Sequence, residues 1–317
     1  MSVEYKGKRF EIGKIFQRYG LTNTPLTHLE LRNLNITSIR EVKGLSELED
    51  LHSLDLSNNN ISEIEGLDNL RNLRKLNLFG NQISKIQAIE NLTKLTHLSI
   101  GNHISEIKNL DTFNSLLVLK LGNRISEING LDNLKNLKDL TLSNNNLSVI
   151  QNLEALSNLE VLDLSYNNIT KIGGLDSLIN LNCLYLEVNK ISNIENLDNL
   201  KNLGILSLNF NNISEIKGIN NLKKLIGLEL AYNSISEISN LKSLISLSSI
   251  DLTENIITEI KDFDELANIN YVYLSNNKIS SIKGIKSLYG CEVRLDGNPI
   301  PKHQLRRISK KVYLEEM

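Results

Sequence analysis

LHSLDLSNNNISEIEGLDNL, which runs from Leu51 to Leu70, is one copy of a unit that repeats along this 317-residue chain. Leu54 and Leu56 alternate with period 2, so both point to one face of a short strand. The apolar residues that follow recur at every third position, from Ile61 to Leu70. That spacing fits a 3₁₀ turn or an extended return better than a long α-helix, because the 3₁₀ helix has three residues per turn.

An asparagine marks the same place in almost every unit and recurs at intervals of 21 or 22 residues. A period of this size predicts a solenoid. Each asparagine is expected to lie buried at a bend, where its amide can bond the main chain of its own coil and of the adjacent coil. An earlier unit has Leu34 in that place. The structural asparagine ladder comprises Asn59, Asn81, Asn102, Asn123, Asn145, Asn167, Asn189, Asn211, Asn233, Asn255, Asn277 and Asn298.

The thirteen units, over roughly residues 26–300, resemble the leucine-rich-repeat family, whose core is L-x-x-L-x-L-x-x-N-x-L. The resemblance implies an α/β fold: a curved right-handed solenoid with a parallel inner sheet of about 13 short strands, a 3₁₀ or extended convex side, and helical caps. The unit with Ile-x-x-Ile after the asparagine also resembles the 22-residue subclass found in the nuclear and cytoplasmic regulator of type-1 protein phosphatase and in bacterial internalins.

The two ends are expected to cap the solenoid, which would otherwise expose the apolar faces of its terminal coils. In the N-terminal cap, 1–25, Ile12, Ile15, Phe16 and Tyr19 have the spacing of an amphipathic helix. The solenoid occupies 26–300, and a cap helix follows at 301–317. Its apolar stripe is Leu305, Ile308 and Val312, and its basic residues are Lys302, Arg306, Arg307, Lys310 and Lys311. A solvated helix face explains these charges better than a site for anionic lipid or nucleic acid.

Two units lose one residue between the strand and the asparagine, at Ile100-Gly101-Asn102 and at Leu121-Gly122-Asn123. Glycine can adopt the tighter bend that this requires. The sequence therefore predicts a local change of curvature at repeats 4 and 5.

Composition argues against several classes of function. The formal net charge of −2 does not favour general binding to nucleic acid or to a membrane surface. No apolar run approaches 18 residues, and the first residues lack the apolar core of a signal peptide, so we expect a cytoplasmic protein. Cys183 and Cys291 lie five repeats apart, too far for a disulfide. His28 and His97 lie three repeats apart, too far to share a metal, so no metal and no cofactor are expected.

The sequence also lacks the usual signs of catalysis. The glycines beside the asparagines belong to the repeat and form no phosphate-binding loop, and no G-x-S-x-G elbow is present. One set of carboxylates recurs at a single repeat position, which is typical of a solvated face: Glu63, Glu106, Glu127, Glu215 and Glu237. We expect no enzymatic activity and no small-molecule substrate.

The residues that do not repeat indicate a binding surface on the concave face. Repeats 2 to 6 carry small and polar residues there, with Phe79 as the only aromatic residue, whereas repeats 7 to 12 combine aromatic and acidic side chains. Rigid aromatic anchors within a charged rim are typical of protein-interaction hot spots. The acidic bias favours a partner protein with a basic patch. The predicted partner-binding residues are Asp163, Tyr166, Tyr185, Glu187, Phe210, Glu229, Tyr232, Asp251, Glu254, Tyr271 and Tyr273.

Three alternatives remain open at this stage. The first is a regulatory subunit of a serine/threonine protein phosphatase, which is a narrower form of the same hypothesis. The second is a structural spacer whose inner face binds nothing. The third is a membrane or nucleic-acid binder that acts through the basic C-terminal helix.

Overall fold

The computed structural model describes residues 2–15, 26–305 and 312–313. The chain divides into two compact units, Met1–Asn146 and Leu147–Met317. In both units the repeats form coils of a parallel-sheet solenoid with very little helix, which confirms the predicted fold class. Within the described residues, no helix has the length and apolar character needed to cross a membrane.

Each of the thirteen repeats contributes one strand, and neighbouring strands within a unit pair in parallel without a change of order. In the first unit these strands are β4 (Leu26–Glu30), β5 (Ser53–Asp55), β6 (Lys75–Asn77), β7 (His97–Ile104), β8 (Val118–Asn123) and β9 (Asp139–Thr141). In the second unit they are β10 (Val161–Asp163), β11 (Cys183–Tyr185), β12 (Ile205–Ser207), β13 (Gly227–Glu229), β14 (Ser249–Asp251), β15 (Tyr271–Tyr273) and β16 (Glu292–Arg294).

The apolar pattern of the repeat accounts for the core. The two strand leucines, for example Leu184 and Leu186, are fully buried, while the residues between and beside them reach the other face of the sheet. On the return side of each coil, backbone bonds join residues three apart, such as Leu178 N to Leu175 O at 3.0 Å. These are 3₁₀-type bonds, which suit the period-3 apolar spacing. The part of the chain that the structure describes contains three short 3₁₀ helices: Ile39–Glu41, Leu45–Glu47 and Ile285–Leu288.

The ladder asparagines tie each coil to the one before it. Asn189 Nδ2 donates to the carbonyl oxygens of Leu164 at 3.0 Å and Leu186 at 3.1 Å, and its Oδ1 accepts from Ile169 N at 2.9 Å. One side chain therefore satisfies three backbone groups that no strand pairs. The same pattern of bonds recurs along the ladder, for example at Asn81, Asn211 and Asn277.

Asn123 corrects the predicted ladder. Its side chain is exposed and its φ is 139°, because strand β8 runs on through Asn123 instead of bending before it. In β7 the register shifts between Gly101 and Ile104. Neither Gly101 nor Gly122 has a left-handed φ, so the predicted role of glycine in a tight bend is wrong. A Cβ atom on Gly101 would instead lie 2.4 Å from the ring of Phe79, so this glycine makes room for that ring. The change of curvature stays a prediction.

The described residues of the N-terminal cap form strands where a helix was predicted. Strands β1 (Ser2–Tyr5) and β2 (Lys8–Glu11) form an antiparallel hairpin. Lys6 and Gly7 connect them with φ values of 47° and 72°, and two successive positive φ angles characterise a two-residue hairpin turn that follows the twist of the strands. β3 (Gly13–Ile15) then pairs antiparallel with β4 and covers the sheet edge. Ile12 and Ile15 are thus not on a helix, and Phe16 and Tyr19 lie outside the described residues.

The described residues of the C-terminal cap form a short helix and a strand. α1 spans Lys302–Leu305, and β17 (Val312–Tyr313) pairs in parallel with β16. Val312 is therefore in a strand, and the predicted helical stripe does not extend to it. A strand here supplies hydrogen-bond partners to the otherwise open edge of β16. Ile308 and the basic residues Arg306, Arg307, Lys310 and Lys311 lie outside the described residues.

Candidate partner-binding surface

The eleven predicted residues all lie in the second unit, on the sheet face opposite the core. The parallel register places Asp163, Tyr185, Glu229, Asp251 and Tyr273 in a single row across β10 to β15, in which Ser207 fills the β12 position. Tyr271 is two residues before Tyr273 on the same face of β15. Of the other five, Tyr166, Phe210, Tyr232 and Glu254 lie at the bend that follows each strand, and Glu187 lies one residue before this position. We call the surface formed by these eleven residues the aromatic face.

Four aromatic side chains of the aromatic face are largely open to solvent. Their exposed fractions are 54% for Tyr166, 49% for Phe210, 46% for Tyr232 and 44% for Tyr271. Tyr185 and Tyr273 are partly buried between their neighbours. Large exposed rings grouped on one face are unusual for a surface in contact only with water, and such groups mark interaction sites.

The bend position has a left-handed backbone in every full-length repeat. In the first unit it is occupied by Asn58, Gly80 and Asn144, and Asn276 and Gly297 occupy it near the end of the second unit. Asparagine and glycine tolerate this conformation best. Between them, five consecutive repeats have other residues with φ from 52° to 56°: Tyr166, Val188, Phe210, Tyr232 and Glu254, which we call the bend column.

The bend column is energetically unfavourable. A left-handed φ costs about 1–2 kcal/mol in a residue with a Cβ atom, and it is a genuine outlier for a β-branched residue such as Val188. A second left-handed position, on the return side of each coil, is filled mostly by glycine and asparagine, for example Gly174, Asn196 and Gly218. The unfavourable choices are therefore concentrated on the aromatic face. Strained backbone of this kind clusters at functional sites.

Two rings of the bend column stack on each other. The centroids of Phe210 and Tyr232 lie 4.1 Å apart and their planes differ by 8°. Tyr273 has a different environment, because the Arg294 guanidinium lies 5.1 Å from the centre of its ring. One face of Tyr273 is thus already occupied by a cation from the same chain, which makes it a poorer anchor for a partner than the sequence suggested.

Most carboxylates of the aromatic face are held by neighbours. Glu229 Oε2 accepts from Ser207 Oγ at 2.6 Å and from Asn209 Nδ2 at 3.0 Å. Asp163 accepts from Ser165 Oγ at 2.6 Å. In the same way, Asp251 accepts from Thr253 N at 2.9 Å and Glu254 from Asn276 Nδ2 at 2.9 Å. These bonds fix the positions of the negative charges.

Glu187 differs from the other acidic residues. Its Oε2 is buried and has no hydrogen-bond partner among the described residues. Burial raises the pKa of Glu187, and the charges of Asp163 and Glu229 raise it further. A hydrogen bond from Ser207 would lower the pKa, but the single hydroxyl proton of Ser207 is donated to Glu229. Burial, with Cys183 and the nearby carboxylates, also raises the pKa of Tyr185 to about 12, so its hydroxyl remains a hydrogen-bond donor.

The described residues contain no cluster of three histidine, cysteine or acidic side chains that could hold a metal ion. Cys183 and Cys291 are not joined by a disulfide. Two features of the surface were not predicted from the sequence: the left-handed backbone of the bend column and the unpaired oxygen of Glu187. The sequence contains a signal for the strain of the bend column, because the position before the ladder asparagine holds asparagine or glycine in most other repeats.

Comparison with known proteins gives consistent relatives. Family models described as leucine-rich repeats match residues 24–83, 71–112 and 157–202. An internalin structure from Listeria monocytogenes is 28% identical, with a TM-score of 0.66, over 86% of this chain and 89% of that one. A leucine-rich-repeat protein from Leptospira interrogans is 27% identical, with a TM-score of 0.78, over 86% and 74%. Comparison with curated protein sequences gives no match.

A third structure contains a bound partner. The ectodomain of a plant receptor kinase from Arabidopsis thaliana, solved in complex with CASPARIAN STRIP INTEGRITY FACTOR 2, is 28% identical with a TM-score of 0.65. The match covers 80% of this chain and 34% of that one. Three lines of observation thus agree: the 22-residue period, the family models and the solved structures.

Proposed function

Because this chain is a leucine-rich-repeat protein, we propose that it is a protein-binding scaffold that holds a partner protein on the aromatic face of its second unit. The fold is typical of protein-interaction domains. The observation that carries the proposal is the bend column. Five consecutive repeats place Tyr166, Val188, Phe210, Tyr232 and Glu254 in a left-handed backbone that the other full-length repeats fill with asparagine or glycine. Exposed rings on a strained backbone lower the stability of the protein, and binding of a partner by these rings explains why they are present.

The chemistry of the aromatic face favours a partner with a basic patch. Asp163, Glu229 and Asp251 stand in one row, each held by hydrogen bonds within the chain. Fixed carboxylates beside exposed rings attract and orient cationic groups without a further loss of side-chain entropy. We expect the rings to supply most of the affinity and the carboxylates to supply the association rate and the choice of partner.

The test is capture of a partner from a lysate of the source organism. The test variant is the triple change Tyr185→Ala/Phe210→Ala/Tyr232→Ala. A matched control removes three large exposed residues of the same unit that share one position on the coil edge, Ile179→Ala/Ile245→Ala/Tyr289→Ala. A protein retained by the wild type and the control, but not by the test variant, is then purified. Its affinity is measured by calorimetry at two salt concentrations, since an acidic surface predicts weaker binding at high salt.

The other hypotheses give different outcomes. A serine/threonine phosphatase catalytic subunit as the captured protein supports the narrower regulatory role. Equal partner sets for all three proteins contradict binding through the aromatic face, and an empty set favours a spacer. Salt-sensitive binding to anionic vesicles or nucleic acid that disappears on removal of 302–317 favours the C-terminal alternative. We propose a cytoplasmic location and a non-enzymatic role on the composition and motifs given above; fractionation of source cells tests the location.

A further inference from the structure

The middle of the first unit has a sheet face whose charge differs from that of the aromatic face. In strands β6, β7 and β8 the two residues beside the central buried leucine reach this face, and none of them is acidic. They are Lys75, Asn77, His97, Ser99, Val118 and Lys120. We call the surface formed by these six residues the basic face. Lysines without carboxylates between them give it a positive local potential, although the whole chain has a net charge of −2.

Two lysines flank strand β7. The register pairs Lys75 with His97 and Lys120 with Ser99, so the lysines approach β7 from β6 and from β8. Both lysine side chains are exposed, and neither forms an ion pair with a described residue. Burial lowers the pKa of His97, and the charges of Lys75 and Lys120 lower it further, which places both ammonium groups near this imidazole. Asp139, on the following strand β9, partly opposes their effect.

His97 and Ser99 add neutral hydrogen-bonding groups between the lysines. His97 Nδ1 lies 2.9 Å from Thr96 Oγ1, and the hydroxyl proton of Thr96 is donated to Arg74 O at 3.0 Å. Nδ1 therefore carries a proton, and Nε2 is the atom that gains a second proton when the ring becomes charged. Among the described residues, neither His97 Nε2 nor the Ser99 hydroxyl has a hydrogen-bond partner. Both groups are thus available to a ligand.

An aromatic ring borders the basic face. Phe79 follows β6, and its side chain is 53% exposed. A Cβ atom on Gly101 would lie 2.4 Å from this ring, so the ring covers the β7 backbone two residues beyond Ser99. Gly101 pairs with Gly122, which lies two residues beyond Lys120. Because neither glycine has a side chain to cover the ring, Phe79 keeps an exposed apolar surface at the border of the basic face.

We propose that the basic face binds an acidic segment of a protein, in which carboxylates pair with Lys75 and Lys120 and an apolar residue contacts Phe79. The site belongs to the first unit and involves no residue of the aromatic face. Charge complementarity carries the choice of an acidic segment. Carboxylate oxygens can also accept bonds from the Ser99 hydroxyl and from protonated His97. A nucleic acid fits less well, because its backbone is bound by larger clusters of basic residues than the two lysines of this face.

The test titrates an end-blocked hexapeptide, Glu-Leu-Glu-Glu-Leu-Glu, into the full chain and follows the histidine ring signals by NMR at several pH values. Gln-Leu-Gln-Gln-Leu-Gln is the matched control peptide, because it keeps the shape and lacks the charge. We expect a saturable shift of the His97 signals with the acidic peptide only. The pKa of His97 should be higher in the bound state, since a nearby negative charge favours the charged imidazole. His28 is the internal reference, because it lies in the same row of the sheet but already bonds to Ser53 and Glu30.

Variants locate the site of binding. Lys75→Gln and Lys120→Gln should each weaken binding of the acidic peptide about two- to fivefold, the effect of one exposed ion pair, and the double variant should weaken it roughly tenfold. Phe79→Ala should weaken it several-fold by removing the apolar contact. Lys94→Gln is the matched control, because Lys94 is an exposed lysine of the same unit that bonds to Asn72 Oδ1 at 2.7 Å, and it should bind the peptide as the wild type does. The histidine signals of the free variants show whether each is folded.

Each of four results would overturn the inference: no saturable shift at His97, an equal response to the glutamine peptide, an unchanged affinity in the double lysine variant, or a response to single-stranded nucleic acid with none to the acidic peptide. These results can be told apart from failure of the proposed function. A captured partner that is lost in the Tyr185/Phe210/Tyr232 variant, together with no peptide response, leaves the scaffold role of the aromatic face standing and removes only the site on the basic face.

Discussion

The rings of Phe210 and Tyr232 stack at a centroid distance of 4.1 Å while both residues hold a left-handed backbone, with φ of 55° and 56°. An aromatic pair contributes about 0.5–1.5 kcal/mol beyond the area that it buries. Each left-handed residue costs about 1–2 kcal/mol. The stacking energy thus offsets only part of the backbone strain. The remaining strain lowers the free energy of unfolding by an amount that can be measured.

The coupling between the two rings is the first prediction. Phe210→Asn and Tyr232→Asn each remove a ring and a backbone penalty, so each single change should alter the free energy of unfolding only slightly. The double variant should be more stable than the sum of the single variants by about 0.5–1.5 kcal/mol, because the stack is lost only once. Urea unfolding of the four proteins measures this difference. Additive effects would show that the stack contributes nothing.

Tyr166→Asn should stabilise the protein. The Tyr166 ring is exposed and its backbone is left-handed with φ of 55°, so asparagine relieves strain with little loss of packing. We expect a gain of about 1 kcal/mol. Tyr289→Asn is the control, because Tyr289 is an equally exposed tyrosine with an ordinary φ of −66°. A similar gain in both variants would mean that the left-handed backbone is not the cause.

Asn189→Ala should be strongly destabilising. It removes three donated bonds, to Leu164 O, Leu186 O and Glu187 O, and one accepted bond, from Ile169 N. Leu164 O and Leu186 O keep a donor from the neighbouring ladder asparagines, whereas Ile169 N loses its partner. The unsatisfied Ile169 N costs about 1–3 kcal/mol and each lost hydrogen bond to a carbonyl about 1 kcal/mol, so the total loss should be about 3 kcal/mol or more. Asn180→Ala is the control, because Asn180 is exposed and its side chain donates a single hydrogen bond, to Ser157 O at 2.9 Å. Its loss should stay near 1 kcal/mol, measured as a shift in the urea midpoint.

Two adjacent glycines should respond in opposite ways. Gly174 has φ of 65°, and a Cβ atom there would lie 2.6 Å from the carbonyl oxygen of Ile150. Gly174→Ala should therefore destabilise by about 2 kcal/mol or more, from strain and the backbone contact. Gly173 has an ordinary φ and open space around the Cβ position, so Gly173→Ala should be neutral or stabilising by up to about 1 kcal/mol. Equal effects in thermal unfolding would contradict the local geometry.

Glu187 should make stability depend on pH. Burial raises its pKa in the folded protein, so the folded protein keeps this proton to a higher pH than the unfolded chain does. The contribution of Glu187 to stability is therefore fully present below the unfolded pKa, about 4.3, and decreases as pH rises through the folded pKa. Glu187→Gln should be more stable than the wild type at neutral pH.

The difference between Glu187→Gln and the wild type should shrink as the pH falls toward 4. Urea unfolding at several pH values measures it. Glu229→Gln is a useful comparison, because Glu229 accepts two hydrogen bonds whereas the buried oxygen of Glu187 accepts none from the described residues. A wild-type and Glu187→Gln pair whose stability difference is constant across this range would contradict the assignment to burial.

Much of the aromatic face could be predicted because the repeat fixes a register. Once the ladder asparagine is located, the strand leucines define the core, and the residues between them must lie on the opposite face. Asp163 and Tyr185 could therefore be placed in one row from sequence alone. The strain at Val188 could not be recognised in the same way, since the φ of a bend depends on how the strand ends and the next segment packs.

The ends and the short repeats show where pattern reading fails. Ile12 and Ile15 match helical spacing, yet the turn at Lys6-Gly7 reverses the chain into a hairpin. Val3 and Tyr5 are buried there, and the Tyr5 hydroxyl donates to Asn35 O at 3.1 Å. This tertiary contact stabilises the hairpin, and strand β3 pairs with the otherwise open edge of the sheet. Together they stabilise strands more than the helical spacing of a few apolar residues stabilises a helix.

The sequence by itself determined the solenoid, its thirteen strands and the faces on which side chains lie, because a 22-residue repeat imposes the same short-range geometry on every coil. The tertiary structure alone decided which side chains meet. It stacked Phe210 on Tyr232, placed Arg294 over Tyr273 and left one buried oxygen of Glu187 without a donor. Whether residues of neighbouring coils make these contacts depends on their side-chain rotamers and on how far their polar atoms are buried. The period of the repeat specifies neither the rotamers nor the burial.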